Sequence, residues 1–305
     1  MNSNIKIFGG MKYLGGKHTI GKELSEFMTI HVNPESVNGY LEPFCGSLGV
    51  FKFMSEYNFK KLIASDFQPD IIQMWKEGQN NTLKLPDSID EKYYNKLKQA
   101  ESPNSLKAVA GFGLSFGGVY FQSYSQKYSG TSGRNFYNEF KNSLNKIIPK
   151  IQKNNITFHN KSYHLWEPNN MLVYCDPPYK NTAGYSTGSF NHDKFWNIIR
   201  KWSKKNYVFV SEETAPKDFI CVWEKKKFRT ISSKNRKYKS EKIFVYNDGL
   251  LKHLIKVKKN KSLKKNKSLK KNKSLKKNKS LKKNKSLKKN KSLKKNKSLK
   301  KNKSL

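Results

Sequence analysis

The sequence predicts an α/β fold from two observations. Five short apolar runs read as buried strands: Gly39–Phe44, Lys61–Ser65, Met171–Cys175, Tyr207–Ser211 and Lys242–Tyr246. Helical patterns follow several of them, as at Pro69–Lys76 and His192–Lys204. Strands that alternate with helices pack as a largely parallel sheet, and such sheets take ligands at the carboxyl ends of their strands.

The pattern changes between residues 83 and 163. Leu85-Pro86-Asp87 and Ser102-Pro103-Asn104 punctuate it, and the run Gly111-Phe112-Gly113-Leu114-Ser115-Phe116-Gly117-Gly118 leads into a polar, aromatic stretch from Val119 to Arg134. A helix is expected to return over Asn135–Lys150. Its Phe136, Phe140, Leu144 and Ile147–Ile148 recur at helical spacing and form a packing stripe. The expected organisation is a first α/β part at 1–82, an inserted lobe at 83–163, a second α/β part at 164–257 and a low-complexity tail at 258–305.

The tail is eight consecutive copies of K-K-N-K-S-L, which hold 24 of the 62 basic residues. The remaining 38 bases stand against 22 acids, an excess that favours a polyanionic partner. A period of six gathers no apolar stripe on a helix, so the tail is expected to be disordered in isolation and to add non-specific affinity for nucleic acid. Cys45, Cys175 and Cys221 are far apart in sequence and beside apolar residues, which predicts reduced core thiols. The six histidines do not cluster with cysteines or carboxylates, so no metal site is predicted. No run approaches 18 apolar residues and the N-terminus lacks an apolar signal core, as expected for an intracellular, soluble protein without membrane contact.

Three constellations carry chemistry. The first is Val173-Tyr174-Cys175-Asp176-Pro177-Pro178-Tyr179, a strand that ends in D-P-P-Y. An aryl amine is a poor nucleophile because its lone pair is delocalised into the ring. A carboxylate with a backbone carbonyl beside it can accept both amine protons and localise that pair. The prolines stiffen the turn and remove N–H donors, and a tyrosine offers a face on which an extruded base can stack. The plainer alternative is a β-turn after a core strand. The second is Tyr40-Leu41-Glu42-Pro43-Phe44-Cys45-Gly46-Ser47-Leu48-Gly49, an apolar strand entering a small-residue turn. Asp66 ends the next strand about twenty positions past Gly46, where an acid reaches ribose hydroxyls in nucleoside-binding folds. It could equally cap the helix that begins near Pro69. The third is Lys12-Tyr13-Leu14-Gly15-Gly16-Lys17, where Lys17 can meet a carboxylate and Tyr13 can cover a ring.

In this order, the three motifs resemble the adenine-specific DNA methyltransferases of the Dam type, the D12 class, in its phage and viral branch. The resemblance spans about residues 8 to 250. Ser211-Glu212-Glu213-Thr214, Lys239-Ser240-Glu241-Lys242-Ile243-Phe244-Val245-Tyr246-Asn247, and Asn181, Thr182, Tyr185 and Phe190 agree with it. Many members carry a second glycine where this chain has Leu48. The resemblance implies a Rossmann-like sheet with an inserted recognition lobe. It also implies contacts to S-adenosyl-L-methionine from Tyr13, Lys17, Asp66 and Asp176, a cofactor turn shaped by Phe44 and Gly46, and a target adenine held by Asp176, Pro177, Pro178 and Tyr179. The implied partner is double-stranded DNA; whether a cognate restriction endonuclease is paired with the chain, and its oligomeric state, stay open.

Tyr120, Gln122, Tyr124, Gln126, Lys127, Tyr128, Arg134 and Asn135 are candidate base readers in the insert. Lys225-Lys226-Lys227 with Arg229, Lys234, Arg236, Lys237 and Lys239 reads as a ridge that grips phosphates. Two alternatives remain at this level: an amino methyltransferase acting on cytosine or RNA, against which Asp176 argues, and a DNA-binding protein with a decayed methyltransferase fold.

Overall fold

The computed structural model describes residues 11, 13, 15–125, 133–179, 190–232 and 235–254, with the backbone alone for 227–239. Met1–Lys252 forms one compact unit, and 253–305 a second that falls almost wholly outside the described residues. Among the expectations above, Lys12, Leu14, Gln126, Lys127, Tyr128, Asn181, Thr182, Tyr185, Lys234 and the K-K-N-K-S-L tail also lie outside them.

Seven strands form one sheet: β1 (Tyr40–Glu42), β2 (Leu62–Asp66), β3 (Ile156–Asn160), β4 (Leu172–Cys175), β5 (Tyr207–Ser211), β6 (Phe219–Ser232) and β7 (Asn235–Tyr246). Their order is β3-β2-β1-β4-β5-β7-β6. The first five run parallel, and β7 pairs antiparallel with β5 and with β6. All five predicted strands are present, although the expected Lys242–Tyr246 is only the end of β7. Strands β3 and β6 were not predicted. The alternation of β3 is short, and β6 carries lysines where an apolar signal would have marked it.

The chain winds outward from β1 through β2 to β3, then returns to lay β4 on the other side of β1. This reversal opens a crevice at the carboxyl ends of β1 and β4, where ligands bind in open α/β sheets. Helix α1 (Gly21–His31) precedes β1, and the short α2 (Phe51–Met54) follows its turn. Helix α3 (Pro69–Gln79) has proline at its first position and a buried face of Ile71, Ile72, Met74, Trp75 and Gly78. Gln68 caps it, accepting from Asp70 N at 2.6 Å and Ile71 N at 3.3 Å. The cap is therefore Gln68; Asp66 instead accepts from Gln68 N at 3.0 Å.

Helices α4 (Glu91–Gln99), α5 (Ser105–Ala108) and α6 (Phe136–Gln152) lie between β2 and β3. Asn135 caps α6 by accepting from Asn138 N at 2.9 Å. Its buried stripe is Tyr137, Phe140, Ser143, Leu144, Ile147 and Ile151, close to the expected one but rotated by a residue at its start. Helix α7 (His192–Ser203) lays Phe195, Trp196, Ile199 and Trp202 against Val173, Cys175, Val208 and Val210 of β4 and β5. Each such side chain contributes roughly 1.5–3 kcal/mol on burial, which makes the floor beneath the β4 loop rigid. Among the described residues, no helix is long and apolar enough to cross a membrane.

Candidate active site

Three loops meet at the crevice. The residue after β4 is Asp176, β1 runs into the turn around Gly46, and β2 ends on Asp66. The loop before α1 comes up against the same turn. A Cβ on Gly21 would lie 2.0 Å from the Gly49 carbonyl oxygen, and one on Gly49 would lie 2.8 Å from Lys17 N. Only bare backbone fits at both positions.

On the Gly46 side, Asp66 accepts from Gly46 N at 2.9 Å and from Gln68 N at 3.0 Å, and Trp75 Nε1 donates to the Gly46 carbonyl at 2.8 Å. Burial pushes the Asp66 carboxyl up, while these backbone donors pull it back. Gly46 has φ of +40° and packs against the Tyr13 ring, so closely that a Cβ would lie 2.9 Å from a ring carbon. Leu48, where the resemblance led to the expectation of a second glycine, has a φ of +56° in the left-handed region. Its side chain is fully buried. The chain thus accepts backbone strain of order 1–3 kcal/mol in exchange for a filled core.

A buried polar chain fastens this turn. Lys52 Nζ lies 3.0 Å from His18 Nδ1, and His18 Nε2 lies 2.9 Å from Ser47 Oγ. An ammonium can only donate, so His18 accepts at Nδ1 and donates from Nε2. Desolvation, with the neighbouring Lys52 charge, brings the His18 pKa down to about 3. Desolvation likewise brings Lys52 to about 8.

On the β4 side, Lys17 Nζ lies 2.8 Å from Asp176 Oδ1 and 3.8 Å from Glu241 Oε2, and donates to the Gly15 carbonyl at 3.0 Å. Its ammonium stands 4.8 Å from the centroid of the Tyr179 ring, and Tyr179 Oη donates to Glu241 Oε2 at 3.3 Å. The Lys17 and Asp176 side chains are 4% and 17% exposed, so this ion pair sits in a largely dry place. Burial pushes the Asp176 carboxyl up and Lys17 pulls it down. Burial, with Asp176 and Glu241 nearby, pushes the Tyr179 hydroxyl well up, so it remains a donor. Between the two sides lies Glu42, 2% exposed, which accepts from Tyr40 Oη at 2.7 Å. Burial pushes its carboxyl well up, with Asp176 and Asp66 adding to the rise.

The structure thus brings together Lys17, Asp176 and Tyr179, and separately Tyr13, Gly46 and Asp66. Phe44 turns the other way, with ring centroids 5.2 Å from Tyr163 and 5.9 Å from both Phe190 and Phe195. Glu241, Glu42 and the His18–Ser47–Lys52 chain were not singled out from sequence. Glu241 and Glu42 were visible only as carboxylates within longer motifs. Cys45 and Cys175 are buried free thiols whose pKa burial pushes well up, which makes them poor nucleophiles.

Of the expected base readers, Tyr120 Oη bonds Asp70 Oδ2 at 2.5 Å, Tyr124 Oη bonds the Ile89 carbonyl at 2.7 Å, and Arg134 pairs with both oxygens of Glu139. Gln122, Arg134 and Asn135 are exposed, the last two with their side chains engaged by Glu139 and by the cap of α6.

A mixed sheet whose strand order reverses between β1 and β4, with a carboxylate and a glycine turn at that reversal, is a Rossmann-like arrangement. Residues 13–109 match the model of the D12 class N6 adenine-specific DNA methyltransferase family. The type II methyltransferase M.MjaIII of Methanocaldococcus jannaschii is 24% identical over 247 residues, which cover 69% of this chain and 85% of that protein. The type II methyltransferase M.FokI of Planomicrobium okeanokoites is 24% identical over 266 residues, which cover 74% of this chain and 39% of that longer protein. The solved Haemophilus influenzae protein HI0767 aligns with 73% of this chain and 96% of its own at 14% identity and a TM-score of 0.28, too low to carry weight. The match to the D12 class model over residues 13–109 and the two type II methyltransferase relatives support an adenine DNA methyltransferase. That class implies a DNA substrate and an S-adenosylmethionine-dependent reaction.

Proposed function

We propose that the chain transfers a methyl group from S-adenosyl-L-methionine to the exocyclic amino group of an adenine flipped out of double-stranded DNA. The observation that carries this reading is the Lys17–Asp176 contact. A nitrogen already donates to Asp176 Oδ1 at 2.8 Å, beside the Tyr179 ring and at the mouth of β4. The carboxylate is therefore positioned to accept from an amine in a pocket with little water.

The donor set on the Gly46 side fits the cofactor. Asp66 spends its two oxygens on backbone amides, yet a carboxylate has about four lone-pair sites, which leaves capacity for ribose hydroxyls. Gly46 and Tyr13 would shape the backbone and aromatic walls, and Phe44 would support the turn from its aromatic cluster. When bound, the cofactor supplies an electrophilic methyl on a sulfonium.

For the amine to enter, Lys17 yields its place on Asp176, with Glu241 and the Gly15 carbonyl at hand to receive the ammonium. Asp176 and the Pro177 carbonyl then orient the amine, and Pro177 and Pro178 contribute no competing N–H. Tyr179, its hydroxyl tied to Glu241, offers the face for the extruded base. Positioning of two bound reactants provides most of the acceleration, and no covalent enzyme intermediate is needed.

The basic hairpin supports a duplex substrate. In its register Lys227 stands opposite Lys239 and Arg229 opposite Lys237. DNA affinity should therefore fall steeply as salt rises. A cognate restriction endonuclease is proposed as a functional partner, on the type II naming of both relatives.

The test is Asp176→Ala, assayed by transfer of tritiated methyl groups from S-adenosylmethionine into adenine of duplex DNA. Incorporation should disappear while circular dichroism is unchanged. Retained incorporation would refute the assignment.

A further inference from the structure

Tyr13 does not hold its position against Gly46 alone. Its ring stacks on Phe112, with centroids 4.7 Å apart and planes at 37°. Phe112 stacks in turn on Tyr120 at 4.7 Å and 44°. Tyr120 is anchored through its hydroxyl, 2.5 Å from Asp70 Oδ2. Asp70 is 1% exposed, lies in the first turn of α3, and also accepts from Asn104 N at 2.8 Å and Ser102 Oγ at 3.1 Å. A continuous row of contacts thus leads from the segment between β2 and β3 to the glycine turn, and its far end is fixed four residues beyond Asp66.

Each link is of a kind that resists displacement. Phe112 is 6% exposed, and stacked aromatic pairs add about 0.5–1.5 kcal/mol beyond their burial. A hydroxyl donated to a buried carboxylate is a charge-assisted bond, stronger than a neutral one. Tyr120 and Asp70, with Phe67, Gln68, Pro69, Ser102 and Lys107, also line a cavity of about 200 Å³ beside the end of β2. Burial and the Asp70 carboxylate push the Tyr120 hydroxyl up, so it stays a donor throughout the neutral range.

We infer that Tyr120 is a positioning residue for the cofactor: by way of Phe112 it holds the Tyr13 ring against the Gly46 turn, and so sets cofactor affinity without touching the cofactor. This rests on the cofactor reading given above. It also gives the insert a second role, since a residue expected to read bases instead braces the cofactor wall.

The experiment is isothermal titration of the full chain with S-adenosylhomocysteine, for wild type, Tyr120→Phe, Tyr13→Ala and the double variant. Tyr120→Phe removes one hydroxyl and keeps the ring, so the fold should survive; unliganded melting curves check this. Affinity should fall about three- to tenfold, the worth of one such bond. In steady-state assays the change should fall on the KM for S-adenosylmethionine and not on kcat. The double variant should bind no more weakly than Tyr13→Ala, because both changes break one row. Phe112→Leu, which keeps a buried apolar side chain and removes the stacked ring, should weaken binding in the same direction.

Undiminished binding by Tyr120→Phe would overturn the inference, as would losses that multiply in the double variant. Failure of the wild type to bind S-adenosylhomocysteine would instead overturn the cofactor reading beneath it, so the two failures are distinct.

Discussion

The two sides of the crevice hold their carboxylates by different means. Asp66 is fastened by backbone amides of Gly46 and Gln68, groups that cannot move without moving β1's turn or α3. Asp176 is held by Lys17, the end of a flexible chain with two other acceptors in reach. A carboxylate tied to the main chain is part of the scaffold, whereas one tied to a lysine can exchange its partner. The first arrangement suits permanent recognition of a ligand and the second suits a group that must release one amine to accept another.

Four expected outcomes break or sharpen that contrast. The largest concerns Asp176→Ala. Methyl transfer should drop by about a hundred- to a thousandfold, as when a transition-state contact is removed. The melting temperature should hardly change, because Lys17 keeps Glu241 and the Gly15 carbonyl. A melting point lowered as far as that of Asp66→Ala would erase the contrast.

Asp66→Ala comes next. It leaves the amides of Gly46 and Gln68 without their acceptor, at about 1–3 kcal/mol each when buried. Affinity for S-adenosylhomocysteine, followed by calorimetry, should fall about tenfold or more. Thermal stability should fall as well. Loss of affinity with no loss of stability would count against a scaffold role.

Leu48→Gly relaxes the left-handed backbone but deletes a fully buried side chain. Deleting a buried leucine costs about 2–5 kcal/mol once the cavity is counted, against about 1–3 kcal/mol of relieved strain, so a net loss of about 1–2 kcal/mol is expected in urea unfolding. A stabilised variant would mean that strain dominates.

The last effect is a slope with pH, small over any single pH unit. The folded His18 pKa, at about 3, lies below the unfolded value of 6.5. The unfolded chain therefore binds the extra proton between those values, and stability is lost as pH falls through that window. The slope is at most about 1.4 kcal/mol per pH unit. His18→Gln should flatten the melting temperature between pH 6.5 and 4. For Lys52 the window runs from about 8 to 10.5, and there stability rises with pH.

Much of this architecture was legible because its signals are local. The D-P-P-Y turn, the Gly46 turn and Asp66 each end a strand that announces itself by an apolar run. Glu241 was not legible, since it reaches Lys17 only because the order of the sheet sets β7 next to β5. Likewise, Tyr120 carried the composition of a surface reader, and only the packing of Phe112 against Tyr13 turns it inward. Strand β6 stayed hidden because its lysines follow the demands of a charged hairpin and not those of a core.

The paired glycines at 21 and 49 leave the loop that carries Lys17 and the turn that carries Gly46 touching main chain to main chain. Neither can be exchanged by itself. A chimera that imports one of these loops from a relative must import its counterpart too, or the graft will collide before any side chain is considered.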